Sequence, residues 1–416
     1  MTSAAASLRV PAGLEGWARR LGVVFGDFLA EVARRARARG SERVFFLSRE
    51  GHWFAETYAA MRERTPEGAL YPPAVHLPVS RRATFLPSLD GLDGAAMGPL
   101  LAQYRDASVQ AVLTSLGWFE AVSPEQAAAL AARIDPDAAW AAAGPALLAI
   151  PEVHAVLEAR RREQKDLLLS LLASHGLSTG GAPITLADIG WRGSIQDNLA
   201  RLLPGCPMHG CYFLLQPAFV PPPPGVSKES FLLPPDHPDR DRLRRRLRFA
   251  APLELLVCAE QRSVTGYRRG PAGPVLVTDD RPLNTQAVAA KLTALRNAMA
   301  AAALVDGFDR PHGPQEAART ALSEILRFLE TPPMAFIALY FETLRDESFG
   351  AGRLIDRAQP LELSLLIRAV WSGRARMWLG HRLADSGWPW ALLKRDVPLL
   401  APLLRSAMIR RDPRLL

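Results

Sequence analysis

Short apolar runs alternate with amphipathic stretches in two parts of the chain. Apolar residues recur at three- and four-residue spacing from Trp17 to Val32, which predicts an amphipathic helix. Shorter, continuous apolar runs have the length and composition of strands that are buried on both faces. These runs lie at residues 43–47, 74–79, 183–188 and 208–215. Because helical stretches separate the runs, the pattern predicts an α/β fold with a Rossmann-like parallel sheet.

Two other parts of the chain have helical periodicity and no convincing strand among them. Residues 92–181 are rich in Ala and Leu and are interpreted as a helical insertion, and residues 281–416 as a mostly helical C-terminal region. The first and second parts of the α/β core are then residues 14–91 and 182–280. Four consecutive prolines predict an extended surface loop at 217–225, and a peripheral hairpin is expected at 263–267 and 274–278.

Polar and small residues follow three of the predicted strands. Ser48-Arg49-Glu50-Gly51 is expected to be a turn, Ser80-Arg81-Arg82 comes directly after the second strand, and Ile189 to Gly193 is expected to be a loop after Asp188. Ligands of open parallel sheets bind outside the carboxyl ends of the strands. The three segments are therefore predicted to share one site.

The residue types in these segments suit a phosphorylated sugar. Asp188 could accept hydrogen bonds from sugar hydroxyls or hold a metal ion, and Gly190 and Gly193 permit positive φ and close approach of an anion. Ser194 is expected to cap a helix whose N-terminus favours phosphate. Arg49 suits a diphosphate through bidentate contacts. Each motif also has a structural reading, as a helix cap, a turn or a surface Arg–Glu pair, and the grouping of three motifs favours the site.

The charge balance changes the list of partners. The formal net charge is +8, but the cations comprise 46 arginines and four lysines, which together with abundant Ala and Pro indicates a GC-rich genome. Planar guanidinium groups suit phosphates and carboxylates. Phosphorylated small molecules and an anionic lipid surface therefore stay open as partners, and nucleic acid is the least expected of the three. A haloacid-dehalogenase phosphatase would need Asp at 190, which is Gly, and no strand is followed by the Gly-Lys-Ser/Thr of a P-loop.

Cysteine content and hydropathy predict a cytoplasmic protein. Cys206, Cys211 and Cys258 form no C-x-x-C pair and no His clusters with them, which argues against a disulfide framework or a structural zinc site. The first 13 residues lack the apolar stretch of a signal peptide. No stretch of 18 residues consists of uncharged apolar residues, so no membrane-spanning helix is predicted.

Two further regions are rich in arginine or tryptophan, and each could either have a structural role or contact a membrane. Residues 239–248 contain six arginines, which are expected to form a solvated helix face but could bind anionic lipid. The C-terminal part is rich in tryptophan and arginine, and core packing is the expected use of most of these tryptophans, with a membrane or a sugar as the alternative. The residues concerned are Trp371, Arg374, Arg376, Trp378, Arg382, Trp388 and Trp390.

Three phrases of the sequence resemble a known family. VFFLSREGHWFAETY, LPVSRRA and ITLADIGWRGSIQDNL are similar to the glycan phosphoribosyltransferase module of bacterial dual-domain ribofuranosyltransferases. In that family the module follows a haloacid-dehalogenase-type phosphatase domain in enzymes of polysaccharide gene clusters. The resemblance covers about residues 14 to 270 and implies a phosphoribosyltransferase-like sheet.

The resemblance also implies an activity and assigns roles. The enzyme would move 5-phosphoribose from phosphoribosyl diphosphate (PRPP) to a lipid-linked or growing glycan acceptor, with Mg²⁺ bridging the donor diphosphate. Metal ligands in the chain are not assigned. Catalytic roles fall to Asp188, Arg49 and Glu50, of which Glu50 could be the general base, a group near the Mg²⁺ ion or a structural partner of Arg49. Substrate-binding roles fall to Ser48, Gly51, Ser80, Arg81, Arg82, Gly190, Trp191, Arg192, Gly193 and Ser194.

Within that assignment Arg49, with Arg81 or Arg82, would hold the leaving diphosphate. Asp188 would hold the ribose, and Gly193, Ser194 and Arg192 the 5-phosphate. Only about 14 residues precede the first predicted helix, so no phosphatase domain is expected in this sequence. Either a separate phosphatase removes the 5-phosphate, or the product keeps it, or the chain does different chemistry. Peripheral contact with the inner face of the cytoplasmic membrane is a further expectation. The alternatives are a sugar-nucleotide-dependent glycosyltransferase and a non-catalytic partner in a polysaccharide assembly complex.

Overall fold

The apolar runs of the sequence form the strands of a central sheet in a computed structural model. It describes residues 9–93, 98, 104, 107–218, 220–249, 251–258, 262–279, 284–343, 345–346, 354–355 and 359–411. The strands described are β1 (Val44–Leu47), β2 (Ala74–Leu77), β3 (Ile184–Trp191), β4 (Met208–Leu215), β5 (Val226–Ser230), β6 (Val264–Gly270), β7 (Gly273–Thr278), β8 (Arg345–Asp346) and β9 (Leu354–Ile355).

Helices surround this sheet and make up most of the C-terminal part. The helices described are α1 (Glu15–Ala38), α2 (Ser48–Arg64), α3 (Arg81–Phe85), α4 (Val109–Ser115), α5 (Pro124–Ala131), α6 (Trp140–Leu148), α7 (Pro151–Ser174), α8 (Ser194–Leu202), α9 (Arg240–Arg246), α10 (Ala251–Val257), α11 (Gln286–Ala303), α12 (Pro314–Glu330), α13 (Met334–Glu342), α14 (Leu363–Trp371), α15 (Gly373–Asp385), α16 (Pro389–Asp396) and α17 (Ala401–Arg411). The predicted α/β fold with a parallel sheet and a mostly helical C-terminal region is confirmed.

The first five strands form a parallel sheet in the order β2-β1-β3-β4-β5. Phe46 on β1 lies opposite His76 on β2 and Ala187 on β3, which fixes the register at the centre of the sheet. The predicted hairpin is also present, because β6 and β7 pair as a separate antiparallel ribbon. Strand β5 was not predicted. Its sequence, Val226 to Ser230, is mostly polar and partly exposed at the sheet edge, so it lacks the apolar run by which the other strands were recognised.

Helices cover both faces of the sheet, and β1 alternates between them. Val44 and Phe46 point into a core cluster with α1 and α2, whereas Phe45 and Leu47 point into a second cluster with α7 and α8. All four side chains are buried. A strand that is apolar at every position therefore fits the centre of a three-layer α/β structure, where neither face meets water.

The C-terminal helices pack on the same face as α1. Gly22 of α1 lies against α11, where a Cβ atom would stand 2.7 Å from the Cβ of Ala302. The absence of a side chain lets the two helices approach closely, and α11 and α12 extend the cluster formed by α1 and α2. Of the predicted arginine run, Leu243 and Leu247 are buried, and Arg246 makes an ion pair of 2.6 Å with Glu330 of α12. This part of the run therefore packs against the C-terminal helices.

The described part of the predicted insertion is helical and has a core of its own. Helix α7 joins that core to the sheet, because Val153 and Leu157 lie in the insertion's cluster while Leu168 and Leu172 lie beneath β1. The proposed division of the chain into four regions stays a prediction.

Three local expectations were wrong. Residues 189–191 continue β3 instead of forming a loop, because Gly190 and Trp191 pair with Leu214 and Leu215 of β4. The expected turn at Ser48 is the first turn of α2. Ser194 is the first helical residue of α8, not its N-cap, and the N-cap position is taken by Gly193 at a φ of 65°.

A membrane-spanning helix needs about 20 mostly apolar residues. In the described ranges no single helix is both long and apolar enough to cross a bilayer. The helices α6 and α7, bent by 93° where they meet, reach that length and apolarity only as a pair.

Candidate functional site

Three of the predicted segments meet at one edge of the sheet, where β1, β2 and β3 end. From β1 the chain crosses to β2 over one face through α2, and it returns to β3 over the other face through α7. The strand order therefore reverses between β1 and β3. Such a reversal opens a crevice at the carboxyl ends of the two strands, which is where open α/β sheets bind ligands.

Helix α2 starts without a linker at the end of β1 and presents Arg49 and Glu50 at this edge. Ser48 has a φ of 67°, an uncommon value for a residue with a Cβ atom and one that is concentrated at functional sites. Gly51 lies tight against β1, since a Cβ there would be 2.7 Å from the carbonyl carbon of Phe46. The Nε2 of His76 donates to the Ser48 carbonyl at 2.8 Å, and burial lowers the pKa of this histidine. The junction is therefore held from both strands.

Asp188 lies buried near the end of β3, and one of its oxygens accepts the Ile189 N–H at 2.8 Å. Burial raises the pKa of Asp188 well above its ordinary value, and the carboxylates of Glu50 and Glu254 raise it further. The Ile189 amide and Arg81 act in the opposite direction but do not prevail. The sheet edge thus gathers three carboxyl groups from three separate parts of the chain.

Glu254 was not identified from the sequence. It lies on α10, whose other residues are apolar (APLELLV), and it accepts a hydrogen bond from the indole N–H of Trp191. Trp191 has a φ of 79°, so both residues with a side chain and a positive φ in the described part of the chain lie at this sheet edge. A single acidic residue on an apolar helix was the available signal, because a buried carboxylate needs a partner.

Arg49 lies beside an acidic neighbour at this edge and is partly exposed. Its Nη2 lies 3.4 Å from Glu50 Oε1, and its side chain is about one quarter exposed, at 23%. The neighbouring Cys258 sulfur has the largest effect in raising the pKa of Arg49 above its ordinary value, and Glu50, Glu254 and Asp279 act in the same direction against the cost of burial. Arg49 therefore retains its charge whether or not a ligand is present.

Arg81 and Arg192 bring two like charges toward each other at the same edge. The Arg81 side chain is accessible to solvent, yet the protein around its guanidinium lowers its pKa by desolvation. Both observations hold for a group on the wall of a cleft. Burial lowers the pKa of Arg192 as well, and so does the nearby charge of Arg81. An anion bound near both guanidinium groups would relieve this repulsion.

The other end of the site is the N-terminus of α8. Gly193 admits no side chain, because a Cβ would lie 2.8 Å from the Tyr212 hydroxyl. Lys228 binds Asp197 of the first helical turn at 2.7 Å and also donates to the Arg192 carbonyl at 3.2 Å. These contacts fix the segment from Arg192 to Asp197 against β5 and leave Ser194 half-exposed at the helix start.

Two predicted binding residues have structural contacts instead. Ser80 caps α3 by accepting the Ala83 N–H at 3.0 Å, and its hydroxyl donates to the Val264 carbonyl at 2.6 Å. Arg82 donates to the carbonyls at the end of α4, at 3.1 Å to Ser115 and 2.9 Å to Thr114. The structure thus brings Arg49, Glu50, Arg81 and Asp188 together. Arg192 lies near Arg81, and one of its guanidinium N–H groups donates to the Pro217 carbonyl, while Ser80 and Arg82 join α3 to neighbouring elements.

Metal binding was considered from the donor atoms present. Among the described residues no group of three or more His, Cys, Asp or Glu side chains is arranged to hold a metal ion. Glu50 and Asp188 offer carboxylate oxygens, which are the ligands that Mg²⁺ prefers. These two residues fit an ion that takes most of its ligands from a bound phosphate and from water.

Comparison with known proteins adds no relative to this description. No protein-family model matches the chain, and no curated protein is significantly similar to it.

Proposed function

We propose that the chain is a glycosyltransferase that moves 5-phosphoribose from PRPP to a glycan acceptor in the synthesis of a bacterial surface polysaccharide. The observation that carries the proposal is the grouping of Arg49 and Arg81 with the carboxyl groups of Glu50 and Asp188 at the β1/β3 crevice, with Arg192 near Arg81. PRPP has a phosphate at each end and a ribose between them. Its recognition requires cations at two places and hydrogen-bond acceptors between them.

In this reaction the bond between ribose C1 and the diphosphate oxygen breaks, and an acceptor hydroxyl oxygen forms a new bond to C1. Positive charge develops at C1 and negative charge on the leaving diphosphate in the transition state. Arg49 is suited to the diphosphate because its side chain is partly exposed at the sheet edge, and Arg81 is preferred to Arg82 because the guanidinium of Arg82 is engaged by α4. The N-terminus of α8 and Arg192 would receive the 5-phosphate.

The carboxyl groups would act on the ribose and on the acceptor. Asp188 would accept hydrogen bonds from the ribose hydroxyls, and its ionised form would be favoured as positive charge develops nearby. Glu50, which pairs with Arg49, would take the proton that the acceptor hydroxyl releases. A magnesium ion bound through the donor, with Glu50 or Asp188 at its edge, would neutralise part of the diphosphate charge.

Titration calorimetry with PRPP and Mg²⁺ tests the donor directly. Arg49→Ala and Asp188→Asn should each weaken binding by at least about tenfold, which corresponds to the loss of a charged hydrogen bond. Arg133→Ala is the matched control, because Arg133 is exposed in the predicted insertion and belongs to none of the three site segments. It should bind as the wild type does.

Three outcomes would contradict the proposal. The first is the absence of PRPP binding by the folded wild-type chain. The second is tighter binding of a nucleoside-diphosphate sugar than of PRPP, which would favour a sugar-nucleotide-dependent glycosyltransferase. The third is polysaccharide synthesis in cells that is unaffected by both site variants, which would favour a non-catalytic partner.

A further inference from the structure

Helices α14 and α15 carry large apolar side chains on the protein surface. Leu363, Ile367, Val370 and Trp371 of α14 are each more than half exposed, and Trp371 reaches 86%. On α15 the same holds for Met377 and Trp378, at 57% and 60%. This group of six residues is called the α14/α15 surface.

The exposure does not arise from a lack of core contacts. Helix α14 already buries another face, through Leu366 and Ala369, against the body of the protein. The exposed residues recur at spacings of four, three and one, which places them together on a second face of the same helix. An apolar second face of this kind on a helix that is already packed marks a site of interaction.

The charges beside this surface are mainly positive. Residues 362–385 contain four arginines and two exposed acidic residues, Glu362 and Asp385, which lie at the two ends of this stretch. Arg368, Arg374 and Arg376 are exposed, and Arg382 is half-exposed. Arginine side chains can place their apolar stems along a hydrophobic surface and keep the guanidinium at its polar border. The partner must therefore be apolar inside and anionic at its boundary.

We propose that the α14/α15 surface binds the headgroup and outer acyl region of an anionic lipid bilayer. Exposed tryptophan and aliphatic side chains on one face, with arginines beside them, are the composition of helices that lie in a membrane interface. A second copy of the chain fits less well, because a two-fold contact through this surface would bring two sets of arginines together. The proposal is independent of the donor site.

Sedimentation with vesicles tests this surface. The wild-type chain should bind vesicles of equal parts phosphatidylcholine and phosphatidylglycerol more strongly than vesicles of phosphatidylcholine alone, and added salt should reduce the difference. Trp371→Ser should weaken binding about tenfold through lost apolar contact. Arg374→Glu should weaken it at least about fivefold, as expected from the loss of one or more favourable charges.

Matched controls separate this surface from general hydrophobicity and charge. Val305→Ser removes a side chain that is 75% exposed at the end of α11, and Arg133→Glu reverses an exposed charge elsewhere. Both should bind vesicles as the wild type does, and all four variants should keep the wild-type melting temperature and PRPP titration. Equal binding to neutral and anionic vesicles, or none, would overturn the proposal. A dimer that Trp371→Ser dissociates, without vesicle binding, would assign the surface to self-association instead.

Discussion

Asp188 on β3 and Glu50 on the first turn of α2 are two buried acidic side chains that lie close enough for the charge of one to act on the other. Burial is the main reason that the pKa of Asp188 is raised, and the Glu50 carboxylate adds to it. Both residues are buried, at 7% and 6% exposure. Burial and the Glu50 carboxylate therefore both oppose the ionised form of Asp188, and a cationic or hydrogen-bonding ligand would favour it.

Asp188→Asn should stabilise the folded chain at neutral pH. A carboxyl whose pKa is higher in the folded state than in the unfolded state binds its proton more tightly when folded, so stability falls as the pH rises from the unfolded pKa toward the folded pKa. Each pH unit in that interval costs up to about 1.4 kcal/mol. Asparagine keeps the acceptor oxygen for the Ile189 N–H and has no charge to bury.

Urea unfolding at several pH values measures this effect. The variant should exceed the wild type at neutral pH and approach it near pH 4, close to the ordinary pKa of Asp. A variant that is less stable than the wild type across the whole range would show that Asp188 is stabilised as a carboxylate. Gained stability with lost PRPP binding would be the pattern of a functional residue held at an energetic cost.

Gly190→Ala should destabilise the protein by about 3 kcal/mol, from backbone strain together with steric overlap. Gly190 has a φ of 132°, and a Cβ atom there would collide with the Leu214 carbonyl oxygen of the neighbouring strand. Gly273 offers a matched control, because its φ is 130° and nothing lies within 4 Å of an added Cβ. Gly273→Ala should therefore show only the strain, and equal losses in the two variants would exclude a tight β3–β4 contact.

Lys228→Met should cost about 3–5 kcal/mol of unfolding free energy. Lys228 and Asp197 form an ion pair of 2.7 Å in which both side chains are largely buried, at 9% and 11% exposure. Burial raises the pKa of Asp197, while Lys228 lowers it. Removing the lysine would therefore leave a buried carboxylate without its cation.

The double variant Lys228→Met with Asp197→Asn completes the comparison. It should regain most of the stability that Lys228→Met loses, because no charge is then buried. The measurement is urea unfolding of the wild type, both single variants and the double variant. Additive losses in the double variant would mean that the two side chains do not interact in solution.

Cys258 should be the thiol that reacts with an alkylating reagent in the native protein. Cys206 and Cys211 are buried, and burial raises the pKa of both thiols, whereas Cys258 is partly exposed and lies near Arg49. A ligand at about ten times its Kd leaves about a tenth of the sites open, so PRPP should slow the reaction about tenfold. Mass spectrometry of the labelled protein measures this rate.

The variant Cys258→Ser serves as the control for this experiment. It should remove native labelling, since the other two thiols are enclosed in the core. Labelling that persists in this variant would contradict the assignment of the reactive thiol. If saturating PRPP left the alkylation rate of Cys258 unchanged, PRPP would not bind beside Cys258 and Arg49.

The sequence determined the sheet and the segments that border the site. Runs such as Val44 to Leu47 are apolar at every position. All of these side chains are buried only in a strand that is covered on both faces, so the pattern predicted the α/β fold. The carboxyl ends of parallel strands lie at one edge of the sheet. The sequence pattern therefore predicted that Arg49 and Asp188 lie at the same edge. Strand β5 lacked such a signal because an edge strand with mostly polar residues buries little apolar surface.

The tertiary structure decided which side chains face the crevice and which serve the framework. Arg81 and Arg82 are adjacent in sequence, but successive helix residues point in different directions, so one contributes to the charged edge while the other binds the carbonyls of α4. Glu254 reaches Asp188 only because α10 folds back across the end of β3.

The C-terminal tryptophans divide for the same reason. Trp388 is fully buried and Trp390 nearly so, as the sequence led us to expect, while Trp371 and Trp378 remain on the surface. Composition fixes how many apolar and charged groups the chain must place. Their burial, and hence their use, depends on the elements that pack around them, which are distant in sequence and are known only from the folded structure.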